Sequence, residues 1–153
     1  MAVALVPASI GDKPMLRQML ESYLVELSAF DPAITPDYPY LDIYWAGGEA
    51  RWPILITQDG GVAGFALIRS ADDGGGAEMA EFYVRPDARR SGAGLAAAVG
   101  LFKAHPGAWT LSILLDNGPA RAFWPKAIAA AKGEGVSIAE EERVVTYRFT
   151  IPT

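Results

Sequence analysis

The chain has 153 residues, enough for one hydrophobic core without a second domain, and with 51% hydrophobic and 20% charged residues it is a folded globule, not a disordered chain. Thirteen basic against eighteen acidic residues leave a net charge of −5, which lacks the basic footprint of a nucleic-acid binder. The lack of cysteine excludes disulfides, thiol catalysis and cysteine-ligated metals. The start Met1-Ala2-Val3-Ala4-Leu5-Val6-Pro7 has no basic n-region and no long apolar stretch, and no segment has the length of a membrane span. A cytoplasmic protein with no membrane or nucleic-acid partner is the expectation.

Residues 3–6 predict a first strand. Asp12 is placed to cap a helix with Pro14 near its start. Met15, Leu16, Met19, Leu20, Tyr23, Leu24 and Leu27 then recur at helical spacing, so that helix buries one stripe, and Asp31-Pro32 ends it. Residues 32–48 are rich in Pro and Tyr and predict a loop with a short helix over 41–45. Residues 52–57 and 62–68 predict strands joined at Asp59-Gly60-Gly61. Residues 71–76 predict a connection, in which Asp72-Asp73 has the wrong ligand spacing for calcium. Then come a strand over 78–84, a helix from Leu95 to the His105-Pro106-Gly107 stop, and a strand over 109–114 with Trp109 in the core. A helix from Asp116 or Asn117 through Ala131, a short strand at 136–138 and an alternating strand over 143–151 complete the chain. No repeat or linker divides it, so 1–153 is expected to be one domain. The single histidine, His105, sits at a helix C-terminus and serves its dipole, and no metal site is expected.

Between the 78–84 strand and the following helix lies Arg89-Arg90-Ser91-Gly92-Ala93-Gly94. A strand, a glycine turn with arginines and a helix start make an anion site. Glycine lets a ligand approach the backbone, the unpaired N–H groups of the first helical turn point at it, and arginines add charge-assisted hydrogen bonds. No lysine follows the glycines as a Walker loop requires. The dinucleotide pattern is met only in its looser form, with Ala97 in third place.

The pattern that does match is Arg-x-x-Gly-x-Gly after Val84-Arg85-Pro86, which resembles the acyl-CoA-binding motif of the GNAT N-acetyltransferases. Gly60-Gly61-Val62-Ala63-Gly64-Phe65-Ala66 is similar to that family's second and third strands, and Asn117-Gly118-Pro119-Ala120-Arg121-Ala122-Phe123-Trp124 to its late motif. The Phe-Trp end also resembles a bacterial branch whose substrates are unassigned. The resemblance spans essentially the whole chain. It implies an α/β (α+β) fold, with a mixed, mostly antiparallel sheet of six to seven strands flanked by about four helices.

The implied chemistry is acyl transfer from acetyl-CoA, or another short acyl-CoA, to an amine of a small molecule or peptide. An alkyl amine has a pKa of roughly 10 and must lose a proton before it attacks. The family's strand before the turn, here Phe82-Tyr83-Val84, holds the cofactor arm, and the Val84 N–H is the implied oxyanion donor. Glu81 is preferred to Glu78 as the base, acting directly or through water; the alternative reading is a solvated carboxylate. Alternation puts Glu81 with Tyr83 on one face and Phe82 with Val84 on the other, so Tyr83 is a candidate for the acceptor groove beside Glu81, or equally a packed sheet aromatic. The resemblance assigns Arg89, Arg90, Ser91, Gly92, Ala93, Gly94 and Leu95 to the phosphates, and Asn117, Phe123 and Trp124 to the rest of the cofactor. Asn117 reads equally as a helix N-cap. Trp124 stands where the family often has a tyrosine, and an indole does not deliver a proton. Tyr38, Tyr40, Tyr44 and Trp45 form a candidate acceptor wall, or a lid packed on the core, with Asp37 and Asp42 favouring a cation. A homodimer through the last strands is a further expectation. Two other readings stay open: a non-catalytic acyl-CoA-binding module, and a nucleotide binder that reached the glycine turn independently.

Overall fold

A computed structural model describes residues 1–47, 50–71 and 75–153. The Asp72-Asp73 pair, residues 72–74 of the 71–76 connection and the end of the 32–48 loop lie outside the described residues. In chain order the elements are β1 Val3–Pro7, α1 Lys13–Ser28, β2 Arg51–Gln58, β3 Gly61–Ser70, β4 Ala77–Val84, α2 Ala93–Ala104, β5 Gly107–Leu114, α3 Gly118–Ala130, β6 Glu134–Glu141 and β7 Val144–Ile151. Single 3-10 turns occupy Ile10–Asp12, Leu41–Trp45 and Pro86–Ala88. Three α-helices therefore stand where about four were expected, and the helix expected at 41–45 is the middle 3-10 turn.

The strands form one seven-stranded sheet in the order β1-β2-β3-β4-β5-β7-β6. Every neighbouring pair is antiparallel except β4 and β5. The β2–β3 turn forms because Asp59 (φ 51°) and Gly60 (φ 87°) both take left-handed backbone, which matches the twist of a two-residue hairpin. Asp12 precedes α1, but its carboxylate does not cap that helix. It accepts from the Ser9 N–H (2.8 Å) and Oγ (3.1 Å) and closes the preceding turn instead.

Helix α1 lays Leu16, Met19, Leu20 and Leu24 on one face of the sheet, against Leu55, Phe65 and Leu67. Helices α2 and α3 cover the other face with Ala98, Leu101, Phe102, Trp124 and Ile128. Strand β3 lies between both layers and is buried continuously from Ala63 to Ile68, so it reads as an apolar run and not as an alternation. Strand β7 alternates, with Val145, Tyr147, Phe149 and Ile151 buried, because its second face is uncovered. The edge strand β6 is exposed along its whole length. Among the described residues no helix is long and apolar enough to cross a membrane.

Two irregularities position the site. The β3–β4 register passes from Leu67↔Glu81 to Ile68↔Met79, which leaves Ala80 as an extra residue. The bulge resets the alternation: Met79 joins the core under α2 and α3, whereas Ala80 packs and Glu81 bonds toward α1. The parallel β4–β5 ladder consists of Ala77↔Trp109 and Glu78↔Thr110 alone. Beyond those pairs the two strands part.

A split sheet with a clamped carboxylate

Where β4 and β5 part, a cleft of about 260 Å³ runs between residues 79–82 and 111–114. It reaches both faces of the sheet. Tyr23, Leu27 and Ile34 line it on the α1 side, and Asn117, Ala120 and Trp124 line it on the α3 side.

Glu81 is the one charged side chain among the described residues of that lining. Its Oε1 accepts from the Tyr23 hydroxyl (2.9 Å) and its Oε2 from the Tyr38 hydroxyl (3.0 Å). Burial pushes the Glu81 carboxyl up, from an ordinary 4.5 to about 7, against the pull of the two phenol hydrogen bonds and of Arg69, while the neighbouring Glu78 adds to the rise. Burial and the Glu81 charge raise both tyrosines well above their usual range, so they remain protonated donors. A carboxylate has about four acceptor positions, so two remain for a further donor. A group that titrates near neutrality in a cleft has the properties of a proton acceptor.

The backbone beside Glu81 completes this side. Arg85 donates its N–H to Ala63 of β3 (2.7 Å), and antiparallel alternation then turns the N–H groups of Val84 and Phe82 the other way, toward the open split. Tyr83 shares the face of Glu81, as alternation predicts, but it does not line the cleft. It is buried against Phe65 (5.8 Å between ring centroids) and Tyr23 (6.0 Å), with the Arg89 guanidinium 5.5 Å above its ring. Toward this cleft Tyr83 therefore takes the packed-aromatic alternative, and it borders a separate surface hollow with Gln18, Ser22 and Arg85.

The glycine turn sits at the end of β4. Gly92 has φ 86° and Arg90 φ 62°, and α2 begins at Ala93. The first intrahelical bond runs from Ala96 to Gly92, so the Gly94 and Leu95 N–H groups have no acceptor within the helix. A Cβ at Gly94 would make ordinary contact with Val84 (3.4 Å) and Phe123 (3.6 Å). Ser91 holds the turn, donating to the Ala88 carbonyl (2.8 Å) and accepting from the Ala93 N–H (3.3 Å) and Gln58 (3.2 Å). Arg89 does not point its guanidinium away from the protein. Its Nε donates to the Val84 carbonyl (2.8 Å), and its terminal nitrogen bridges both oxygens of Glu26 on α1 (2.7 and 2.9 Å). Arg90 and Leu95 are exposed at the same turn.

On the α3 side Asn117 does what a cap does, accepting from the Ala120 N–H at 3.2 Å, and it also lines the cleft. Phe82 stacks on Phe123 (5.8 Å) and meets the edge of Trp124 (5.1 Å), so the late aromatic pair closes against β4. Of the expected acceptor wall, Tyr38 alone reaches Glu81. Tyr44 is buried beneath Arg51, and the Trp45 indole ties its segment to the Ala8 carbonyl (3.0 Å); both anchor the segment. Tyr40 is exposed and touches the edge of Tyr38. Two participants were not assigned roles by sequence. Tyr23 was read as one more member of the buried stripe of α1, and Glu26 was not singled out. Nothing in the local pattern separates either from a packing or solvated residue.

A sheet opened between two parallel strands, with unpaired helix N–H groups at one end and a carboxylate on its wall, carries the elements that group transfer requires. The acetyltransferase (GNAT) family profile matches residues 16–128, and the chain belongs to that family. Solved structures share the fold. An acetyltransferase from Thermus thermophilus superposes with a TM-score of 0.71 at 13% identity, covering 97% of this chain and 96% of that one. The paia N-acetyltransferase from Thermoplasma acidophilum, in complex with coenzyme A, gives 0.66 at 13% identity over 98% and 99%. Diaminobutyrate acetyltransferase EctA from Paenibacillus lautus, in complex with L-2,4-diaminobutyric acid and coenzyme A, gives 0.68 at 13% identity over 98% and 95%. Comparison with curated proteins yields no match.

Proposed function

We propose that this acetyltransferase moves an acetyl or other short acyl group from coenzyme A to the amine of a small molecule or peptide by direct attack, with Glu81 as the base. The observation that carries this reading is the Glu81 carboxylate, held by Tyr23 and Tyr38 at the split. The residues fit the co-substrate: the glycine turn offers the free N–H groups of Gly94 and Leu95 to phosphates, and Val84 turns its N–H into the gap beside β4, where the Phe82 N–H faces the Tyr23 hydroxyl. Two structural neighbours bind coenzyme A, which supports the same choice. The thioester supplies an activated acyl carbon. The amine nitrogen forms the new C–N bond, its proton passes to Glu81, and the C–S bond breaks with its electron pair on sulfur. The Val84 N–H is the donor for the oxygen on which charge develops. Thiolate is a good leaving group, so Trp124 needs only to pack.

A second reading, favoured by Trp124 at the family's usual tyrosine position, is an acyl-CoA-binding module without turnover. Calorimetric titration with acetyl-CoA of the wild type and of Gly92→Glu, followed by thiol release with an amine panel, separates the two. Binding lost in the variant together with release supports the transferase; binding without release supports the module. No wild-type binding sinks both. The single sheet joining all the described strands supports 1–153 as one domain, and the exposed edge β6 supports pairing of two copies. Light scattering of the purified protein tests the latter.

A further inference from the structure

We infer that the acceptor is a primary monoamine carried on an apolar body, and not a diamine, a polyamine or an amino acid; this rests on the transferase reading above. Glu81 is the one charged group among the described residues of the cleft lining. Three carboxylates on the flanking elements are matched with arginines: Glu26 with Arg89 (2.7 Å), Glu78 with Arg69 (2.7 Å) and Asp31 with Arg143 (3.6 Å); none of the three lines the cleft. One ammonium therefore finds one carboxylate, and a second ammonium has to be buried without a counter-charge. An acceptor carboxylate meets no cation in the lining.

The walls around Glu81 on the α1 side are mostly hydrocarbon, and their hydroxyls are already engaged, Tyr23 with Glu81 and Ser112 with Thr146 (2.9 Å). Leu27 and Ile34 pack into the α1 layer and line the cleft. Leu114 and Val144 are cross-strand partners on β5 and β7, and both line it too. They sit on the side of those strands opposite Ile113 and Val145, which enter the α2–α3 core, so the acceptor mouth lies on the face that α1 only partly covers. Each methylene an acceptor buries there is worth about fourfold in kcat/KM, and an extra buried charge costs at least roughly tenfold.

Three probes of one length test this: hexylamine, 1,6-diaminohexane and 6-aminohexanoate. Thiol release from acetyl-CoA gives kcat/KM for each, and calorimetry gives their binding to the CoA-saturated protein. Hexylamine is expected to exceed both others by about tenfold or more, and to exceed propylamine by up to about sixtyfold, fourfold for each of three further methylenes buried. Leu27→Asp is expected to bring 1,6-diaminohexane up to or above hexylamine; Val144→Asp is the second variant should the first lose its fold by circular dichroism. Equal or better turnover of the diamine or the amino acid by the wild type overturns the inference and leaves the transferase reading standing. Hexylamine binding without thiol release overturns the transferase reading and, with it, the acceptor inference that rests on it. Neither binding nor release with any of the probes sinks both.

Discussion

Strand β4 has two faces that meet different helices and carry different chemistry. Toward α2 and α3 it presents Phe82 and Val84, small contacts such as Gly94, and the stacked Phe82–Phe123 pair. Toward α1 it presents Glu81 under two phenols in a buried, largely apolar setting. The first face follows a short motif whose spacing sets the backbone: the Gly94 and Leu95 N–H groups lack helical acceptors and Gly92 takes a left-handed φ of 86°. The second face follows no motif, because three separated segments supply Tyr23, Tyr38 and Glu81. The proposed cofactor turn is thus local in the chain, and the Glu81 cluster is assembled across it.

The comparison breaks most sharply with Glu81→Gln. It should lower kcat/KM about 10²- to 10⁴-fold while leaving acetyl-CoA affinity within about twofold by calorimetry. Equal loss of both would mean that the two faces are not separable. The same variant should gain stability in alkali. The Glu81 carboxyl is raised from 4.5 to about 7, so the folded protein holds the proton more tightly, and stability falls as pH rises through that window. The gain at pH 8 is about 3 kcal/mol, vanishing near pH 4, as urea denaturation at the two pH values would show.

Gly92→Glu attacks the other face. It places charge and bulk at a left-handed residue with φ 86°, and acetyl-CoA affinity should fall at least roughly 100-fold. Gly92→Ala keeps the backbone strain without the charge, about 1 kcal/mol of stability, and should retain most of the binding. If the two variants lose affinity equally, strain and not phosphate contact is responsible.

Tyr23→Phe sharpens the comparison with a smaller effect. Losing one donor to the carboxylate should cut kcat about tenfold and move the acid limb of kcat/KM to higher pH, since the phenol favours the charged form. Tyr38→Phe should shift the limb the same way. An unmoved pH profile would leave the tyrosines as packing only. The smallest effect belongs to Asn117→Ala, about 1 kcal/mol of thermal stability from the lost cap of α3 with little change in catalysis.

The glycine turn, the late Asn–Phe–Trp segment, the Asp59-Gly60 hairpin and the alternating last strand were all legible in sequence. Each depends on a few adjacent residues whose backbone needs or periodicity are distinctive. The length of β6 was not, because an edge strand exposed along both faces carries no hydrophobic period. The Arg89 contacts were also hidden. The motif places an arginine beside the phosphates, whereas its guanidinium bonds to Val84 and Glu26.

By itself the sequence determined the order of strands and helices, the anion-binding turn and the candidate carboxylate on β4. Only the tertiary structure decided that β4 bulges at Ala80, that it parts from β5 after two residue pairs, and that Tyr23 and Tyr38 close on Glu81 while Tyr83 does not line its cleft. The physical reason is one of range. Turns and helix ends are set by φ, ψ and hydrogen bonds among neighbours, but a raised carboxylate pKa depends on which distant groups bury it and which donate to it.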